Sequence, residues 1–187
     1  YRASNNKTFN SFDKFESAKE FYELAHRVDP SDGSIYNQLA VIESLSPCKS
    51  VPMMIYLYSR ALGSLEPFPM AKENLCKLLK RFGSLFGPLL TIIEHGEDGS
   101  EQLDTKDFVK MLQNFPKEEH LLYGSALALG SYFNFSIPPI SEIKSLSIFT
   151  NLQDEGFDRS FLSSFIGCTF VQEDLQVEIL KIFKDSS

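Results

Sequence analysis

The sequence predicts an all-α protein made of stacked helical hairpins. Apolar residues recur every three or four positions along most of the chain, and no series of strictly alternating apolar and polar residues is present. Asp-Pro, Ser-Pro and Glu-Pro-Phe-Pro steps divide the helical stretches at short intervals. Helices of this length joined by short turns are expected to pack against their neighbours in the sequence.

Four helices are expected in the first part of the chain. Ser11 and Ser34 are good N-caps for the first two helices, and Pro52 is tolerated in the first turn of the third. The residue before a proline disfavours helix, so Asp29 and Ser46 mark two of the expected ends. The expected bounds are about Ser11 to Asp29, Ser34 to Ser46, Val51 to Leu65 and Met70 to Phe82.

The later helices are less regular. Gly87 and Pro88 are expected to break a short apolar helix in LFGPLLTIIEHG, and an acidic linker, EDGSEQLDT, follows. A helix is expected from Thr105 to about Phe115. A long, nearly all-apolar helix from Glu118 to Phe135 is expected to be central and buried on most sides. Beyond SIPPIS, further helices are expected in SEIKSLSIFTNL, DRSFLSSFIGCTFV and EDLQVEILKIFKDSS.

The first helices carry the spacing of a tetratricopeptide repeat. Ala18, Tyr22, Ala25 and Pro30 have the offsets of its second helix, in which alanines allow close approach and tyrosine fills the groove. Matching positions of the next unit are Tyr36, Leu39, Ala40, Met54, Tyr58, Ala61 and Pro67. We therefore expect a tetratricopeptide-like portion over residues 1–85 and a helical-hairpin extension over residues 86–187.

Composition limits the classes of function. The net charge of −7 makes the chain a poor bulk match for nucleic acid, so binding of that kind needs a local basic patch. The cysteines, Cys48, Cys76 and Cys168, are scattered and odd in number, which favours a reducing compartment, cytosol or nucleus. No apolar run approaches the ~20 residues needed to cross a bilayer. Because the chain begins at Tyr1 without Met, we expect it to be part of a longer protein.

Motifs for catalysis or metal binding are missing from the sequence. His26, His95 and His120 are not spaced with Cys, Asp or Glu as metal ligands. The sequence contains neither a glycine-rich phosphate loop nor a Gly-x-Ser-x-Gly elbow. We therefore expect a protein that is not an enzyme and needs neither cofactor nor metal.

Basic residues crowd one helix. Lys72, Lys77, Lys80 and Arg81 lie within ten positions, and Arg60 on the preceding helix could join them. One interpretation is a solvated face beside an apolar stripe. The other is a patch for phosphate, either of a phosphopeptide or of nucleic acid. Aromatic residues interleaved with the basic ones, as in single-strand binding sites, are not seen.

The stretch YNQLA is expected to serve packing. Tyr36 occupies the large-residue position of the repeat, and Leu39 and Ala40 occupy its close-contact position. Asn37 and Asn74 can hydrogen-bond to neighbouring groups, and a satisfied buried amide fixes helix register. A direct ligand role for Asn37 is the alternative.

Three segments together resemble a known family: AKEFYELAHRVDPSDGSIYNQLAVI, IYLYSRAL and PFPMAKENL. They are similar to the family of the telomerase regulatory subunit called ever shorter telomeres and the SMG adaptors of nonsense-mediated mRNA decay. The motif positions are Pro30, Gly33, Tyr36 to Ala40, Tyr56 to Leu62 and Pro67 to Leu75. The resemblance covers about the first 85 residues.

This resemblance implies a 14-3-3-like module of tetratricopeptide-type helices that binds phosphorylated segments of partner proteins. Arg2, in YRASNN, would take the place of one phosphate-binding arginine. The resemblance also implies a non-enzymatic adaptor for telomerase recruitment or for mRNA decay, in the nucleus or the cytoplasm. Its partner would be a telomere-bound protein or a decay helicase.

Two other functions remain open. The resemblance also implies binding of telomerase RNA or single-stranded telomeric DNA, which the basic helix would carry and which salt would weaken. Alternatively, the chain is a scaffold that binds a partner helix through the Phe-rich segment from Phe157 to Phe170. A core-facing helix is the other interpretation of that segment.

Overall fold

The computed structural model describes residues 11–96 and 103–138, and side chains from residue 15 onward within them. All regular elements of this part are helices, which confirms the all-α fold class. They are α1 (Ser11–Val28), α2 (Gly33–Leu45), α3 (Val51–Leu62), α4 (Met70–Arg81), α5 (Gly87–His95), α6 (Thr105–Gln113) and α7 (Glu119–Phe133), with a 3₁₀ turn, Gly83–Phe86, before α5. The helices expected after SIPPIS, the Phe-rich segment, Cys168 and Arg2 lie outside the described residues.

The start of α2 differs from the expectation. Asp32, and not Ser34, is the N-cap: its carboxylate accepts hydrogen bonds from the amide of Ser34 at 2.7 Å and from the Ser34 hydroxyl at 2.8 Å. Helical geometry already begins at Gly33, so the amide of Ser34 is one of the first-turn donors that need a partner. A charged acceptor placed before these donors serves them better than a hydroxyl within the first turn.

The Gly87-Pro88 step begins a helix and does not break one, which corrects the expectation. The 3₁₀ turn leads directly into α5, with Gly87 as its first residue and Pro88 in its first turn. Proline is tolerated there because its missing N–H would have no intrahelical partner. Helix α3 ends earlier than expected, at Leu62, where the amide of Gly63 donates to the carbonyl of Ser59 at 2.9 Å.

Helix α3 lies at the centre of the packing. It contacts α2, α4 and α7, and Ile55, Ala61 and Leu62 are fully buried. Helix α7 is buried on most sides, as expected. One apolar cluster runs from Tyr36 to Phe135, so the described helices on both sides of residue 85 share a core. The division of the chain at that residue stays a prediction.

Two turns are hydrogen-bonded to each other and place α4. The amide of Gly33 donates to the carbonyl of Glu66 at 2.9 Å, and the amide of Glu66 donates to the carbonyl of Ser31 at 3.0 Å. The amide of Phe68 also donates to the carbonyl of Ala61 at 2.8 Å. The turn before α2 is thereby joined to the segment that leads into α4. Within the described part of the chain, no helix is both long and apolar enough to span a membrane.

Candidate nucleic-acid interface on helix α4

Helix α4 has one buried side and one basic side. Ala71, Leu75 and Leu79 are fully buried against the core. At 3.6 residues per turn, Lys77, Lys80 and Arg81 project from the opposite side, and all three are exposed. We call these three residues the α4 basic face.

The ion pairs of the α4 basic face lie at the protein surface. Lys77 pairs with Glu73, one turn earlier, at 2.6 Å, and Lys80 pairs with Glu94 of α5 at 3.5 Å. Arg81 makes no ion pair with residues 15–96 or 103–138. Exposed ion pairs are worth only about 0–1 kcal/mol, so both lysines can exchange their carboxylate for another anion at small cost.

Local electrostatics also give these residues a structural role. The hydrogen bond and the positive charge of Lys77 lower the pKa of the Glu73 carboxyl below its usual value. Lys80 and Arg81 lie in the last turn of α4, where cations interact favourably with the negative end of the helix dipole. The solvated-face interpretation and the phosphate-patch interpretation are therefore both compatible with this geometry.

Lys72 lies apart from the α4 basic face. Its side chain is half-buried, and its ammonium nitrogen lies 4.9 Å from the ring centroid of Phe133 in α7. A cation over an aromatic face is attracted by the ring quadrupole. The structure thus engages Lys72 in the contact between α4 and α7.

Arg60 is also separated from the basic face, because it is buried. Only 5% of it is exposed, and its guanidinium donates a hydrogen bond to the hydroxyl of Tyr36 at 2.8 Å. The guanidinium carbon lies 4.8 Å from the Tyr36 ring centroid. The side chain that the sequence suggested as an addition to the patch therefore contributes to the packing between α2 and α3.

The YNQLA stretch is mostly inside the protein. Tyr36, Asn37 and Ala40 are buried, and Leu39 is half-buried. The side-chain oxygen of Asn37 accepts a hydrogen bond from the amide nitrogen of Asn74 in α4 at 3.3 Å. The two amides singled out in the sequence thus contact each other and link α2 to α4.

The remaining repeat positions take part in helix contacts. Helix α1 packs against α2, and its Ala18, Tyr22 and Ala25 are half-buried, whereas Pro30 lies exposed in the turn that follows. On α3, Met54, Tyr58 and Ala61 are buried. The tetratricopeptide roles of these positions stay a prediction.

An aromatic residue beside the basic face escaped the sequence analysis. Phe82 follows Arg81 directly, is 37% exposed, and meets Phe86 edge-to-face at a centroid distance of 5.9 Å. The sequence predicts Phe82 only as the end of its helix. Helical spacing alone cannot show that a residue at a helix end is only partly covered.

The described residues offer no site for a metal ion. No group of three His, Cys, Asp or Glu side chains in this part of the chain is arranged to hold one. His26 approaches the Tyr36 hydroxyl at 3.4 Å, and burial followed by the charge of Arg60 lowers its pKa. Burial also lowers the pKa of His120, against a smaller opposing effect of Glu118.

Comparison with known proteins places the chain in a family. The family model described as the Est1 DNA/RNA binding domain matches residues 18–120, which is more than half of the chain and includes all of α4. The telomere elongation protein est1 of Schizosaccharomyces pombe is 40% identical over 68 residues. That match covers 36% of this chain and only 14% of the relative's length. No solved structure gives a significant match. The resemblance inferred from the YNQLA and PFPMAKENL motifs is confirmed, and the chain belongs to the family of the Est1 DNA/RNA binding domain.

Proposed function

We propose that this chain is a non-enzymatic module that binds single-stranded nucleic acid through the α4 basic face. The ligand would be telomeric DNA or telomerase RNA, and the site of action would be the nucleus. The family description names DNA and RNA binding, and the fission-yeast relative is named for telomere elongation. Phosphate oxygens would be the groups contacted by Lys77, Lys80 and Arg81.

The observation that carries this proposal is the exposure of three cations on one side of a helix whose other side is fixed in the core. Lys77 and Lys80 keep 70% and 63% of their side-chain surface accessible. Arg81 can offer a planar, forked guanidinium to a phosphate. Because Leu75 and Leu79 are fully buried, the helix that presents these cations is rigidly placed.

Phe82 supports a single-stranded ligand over a duplex. Unpaired bases stack on aromatic side chains, and such stacking is tolerant of sequence. The ring of Phe82 lies one residue beyond Arg81 and is supported by the edge-to-face contact with Phe86. A strand whose phosphates contact the α4 basic face could therefore place a base against this ring.

The acidic charge of the whole chain affects how binding depends on salt. A net charge of −7 opposes the approach of a polyanion at long range, whereas the local cations act at short range. Glu73 and Glu94 would have to release Lys77 and Lys80 before these lysines could contact phosphates. Binding should therefore be modest in affinity and sensitive to ionic strength.

The test is fluorescence anisotropy with labelled single-stranded DNA and RNA. We expect the double variant Lys77→Glu, Arg81→Glu to lose about tenfold or more in affinity, because two phosphate contacts become repulsive. The matched control is Lys106→Glu, Lys110→Glu, which makes the same change in charge at exposed positions of α6. An equal loss in both variants would show a general charge effect and contradict the proposed site.

Recognition of a phosphorylated protein is the second candidate, and it rests on the family resemblance, in which Arg2 would take the place of a phosphate-binding arginine. It would make the chain an adaptor for telomerase recruitment or for mRNA decay. A phosphoserine peptide and its unphosphorylated twin belong in the same assay. Binding of the phosphopeptide alone, lost in Arg2→Glu, would favour the adaptor and contradict the nucleic-acid proposal.

A further inference from the structure

Helix α1 exposes a second apolar face. Phe21, Leu24 and Val28 are 73%, 57% and 80% exposed. Their spacing of three and then four residues places them in one line along the helix. Large apolar side chains grouped in this way mark surfaces that bind another protein surface.

This line is distinct from the face of α1 that packs on the rest of the protein. Ala18, Tyr22 and Ala25 are half-buried, and α1 packs against α2. Ala18 and Ala25 lie next to the line of Phe21, Leu24 and Val28 on the helix surface. One edge of that line is therefore partly covered, whereas the line itself is exposed.

The other edge of the line carries opposite charges. Glu20 and Arg27 are both exposed and are seven residues apart, which places them on the same edge, about two turns from each other. Neither forms an ion pair with another residue in the described part of the chain. Leu24 lies between them along the helix.

We propose that α1 is a self-association surface on which two copies of this chain pack their α1 helices antiparallel. The two-fold axis lies perpendicular to both helices and passes through the middle of the line. It places the edge with Glu20 and Arg27 of one helix beside the same edge of the other helix, which runs in the opposite direction. Glu20 of one copy then lies opposite Arg27 of the second copy, and the symmetry makes this ion pair twice. Phe21 and Leu24 of the two copies pack between these pairs.

Charge complementarity favours a second copy of this chain as the partner of α1, and it favours the antiparallel orientation. In a parallel pair, the edge with Glu20 and Arg27 would face the opposite edge of the second copy, where Ala18 and Ala25 lie. No ion pair could form there. The antiparallel pair uses both charges and covers all three apolar side chains.

A single pair of helices buries little surface, so the association is expected to be weak and to depend on concentration. Helix α1 has 18 residues, and the line occupies its second half. Self-association is independent of the proposed nucleic-acid contact, because the α4 basic face lies on another helix.

Sedimentation equilibrium of the full 187-residue chain over about a hundredfold range of concentration tests the proposal. We expect a reversible dimer for the wild type and a monomer for Leu24→Glu. The matched control is Leu65→Glu, because Leu65 is exposed in the turn between α3 and α4, and this variant should dimerise like the wild type. Circular dichroism of each variant shows whether the helices are retained.

Exchanging the two charges distinguishes the antiparallel pair from nonspecific hydrophobic association. Glu20→Arg alone and Arg27→Glu alone should each weaken the dimer, because each places like charges opposite each other twice. An equimolar mixture of these two variants should restore dimers, since both pairs in the mixed dimer are then opposite in charge. A monomeric wild type, or a mixture no more dimeric than either variant, would overturn the proposal.

Discussion

The guanidinium of Arg60 donates a hydrogen bond to the hydroxyl of Tyr36 at 2.8 Å, and this contact joins α3 to α2 inside the protein. Both residues are almost fully buried. The hydroxyl accepts this bond and can donate its own proton to the ring nitrogen Nε2 of His26 in α1, 3.4 Å away. Three helices are therefore linked through one tyrosine, which gives the first residue of YNQLA a structural role.

Removing the Tyr36 hydroxyl should destabilise the fold. Tyr36→Phe keeps the ring but takes one hydrogen-bond acceptor away from a buried guanidinium, and removing one partner of a buried hydrogen bond costs about 1–3 kcal/mol. Urea denaturation measures this loss. The control is Tyr22→Phe in α1, where the tyrosine is half-buried, and we expect a change within about 0.5 kcal/mol. Equal stability of both variants would contradict the structural role of the Arg60 bond.

Acidification should weaken the fold through His26. Its pKa in the folded state is lowered, chiefly by burial and then by Arg60, so the unfolded chain binds the proton more readily. Above the unfolded pKa of about 6.5, His26 therefore does not reduce the free energy of unfolding. As the pH drops from there toward the lower folded pKa, the free energy of unfolding falls. His120 should add a loss of the same sign.

Denaturation at pH 7.5 and pH 5.5 measures this dependence on pH. His26→Gln removes one titrating group, so the loss of stability between the two pH values should be smaller than in the wild type. His26→Gln, His120→Gln should reduce it further. A single variant with an undiminished dependence would show that His26 does not carry the effect.

Gly33 should tolerate no side chain. A Cβ atom there would collide with the carbonyl oxygen of Ala61 and lie 2.8 Å from the carbonyl oxygen of Glu66. These are backbone atoms that cannot rotate away, so Gly33→Ala should cost about 1–3 kcal/mol and loosen the joined turns. Gly87→Ala is the matched control, because a Cβ atom at Gly87 meets nothing within 4 Å. Thermal unfolding should show a lower midpoint for the first variant and little change for the second.

The helices could be predicted from the sequence because apolar periodicity and proline steps are local signals. The sequence was less reliable where a helix boundary depends on several neighbouring groups. Asp32 caps α2 in place of Ser34, and Gly87 begins a helix that it was expected to interrupt. Both errors arise because a polar residue or a glycine near a turn suits more than one position of a helix start.

The candidate site was predicted only in part for a different reason. Helical spacing identifies which residues share a face, and Lys77, Lys80 and Arg81 do share one. Helical spacing does not show that the Tyr36 hydroxyl accepts a hydrogen bond from Arg60 or that Lys72 lies over the Phe133 ring, because those partners come from distant parts of the chain. Helical spacing likewise does not show that Phe82 is exposed.

The most direct test of the nucleic-acid contact is the salt dependence of binding to a single-stranded oligonucleotide. For three phosphate contacts, the plot of log K against log salt concentration should have a slope of about −2. The variant Lys77→Gln, Lys80→Gln, Arg81→Gln should bind weakly with a slope near zero, while its stability stays within about 1 kcal/mol of the wild type. Lys106→Gln, Lys110→Gln should keep the wild-type slope. A triple variant that also keeps this slope would contradict the account, because the phosphate contacts would then lie elsewhere.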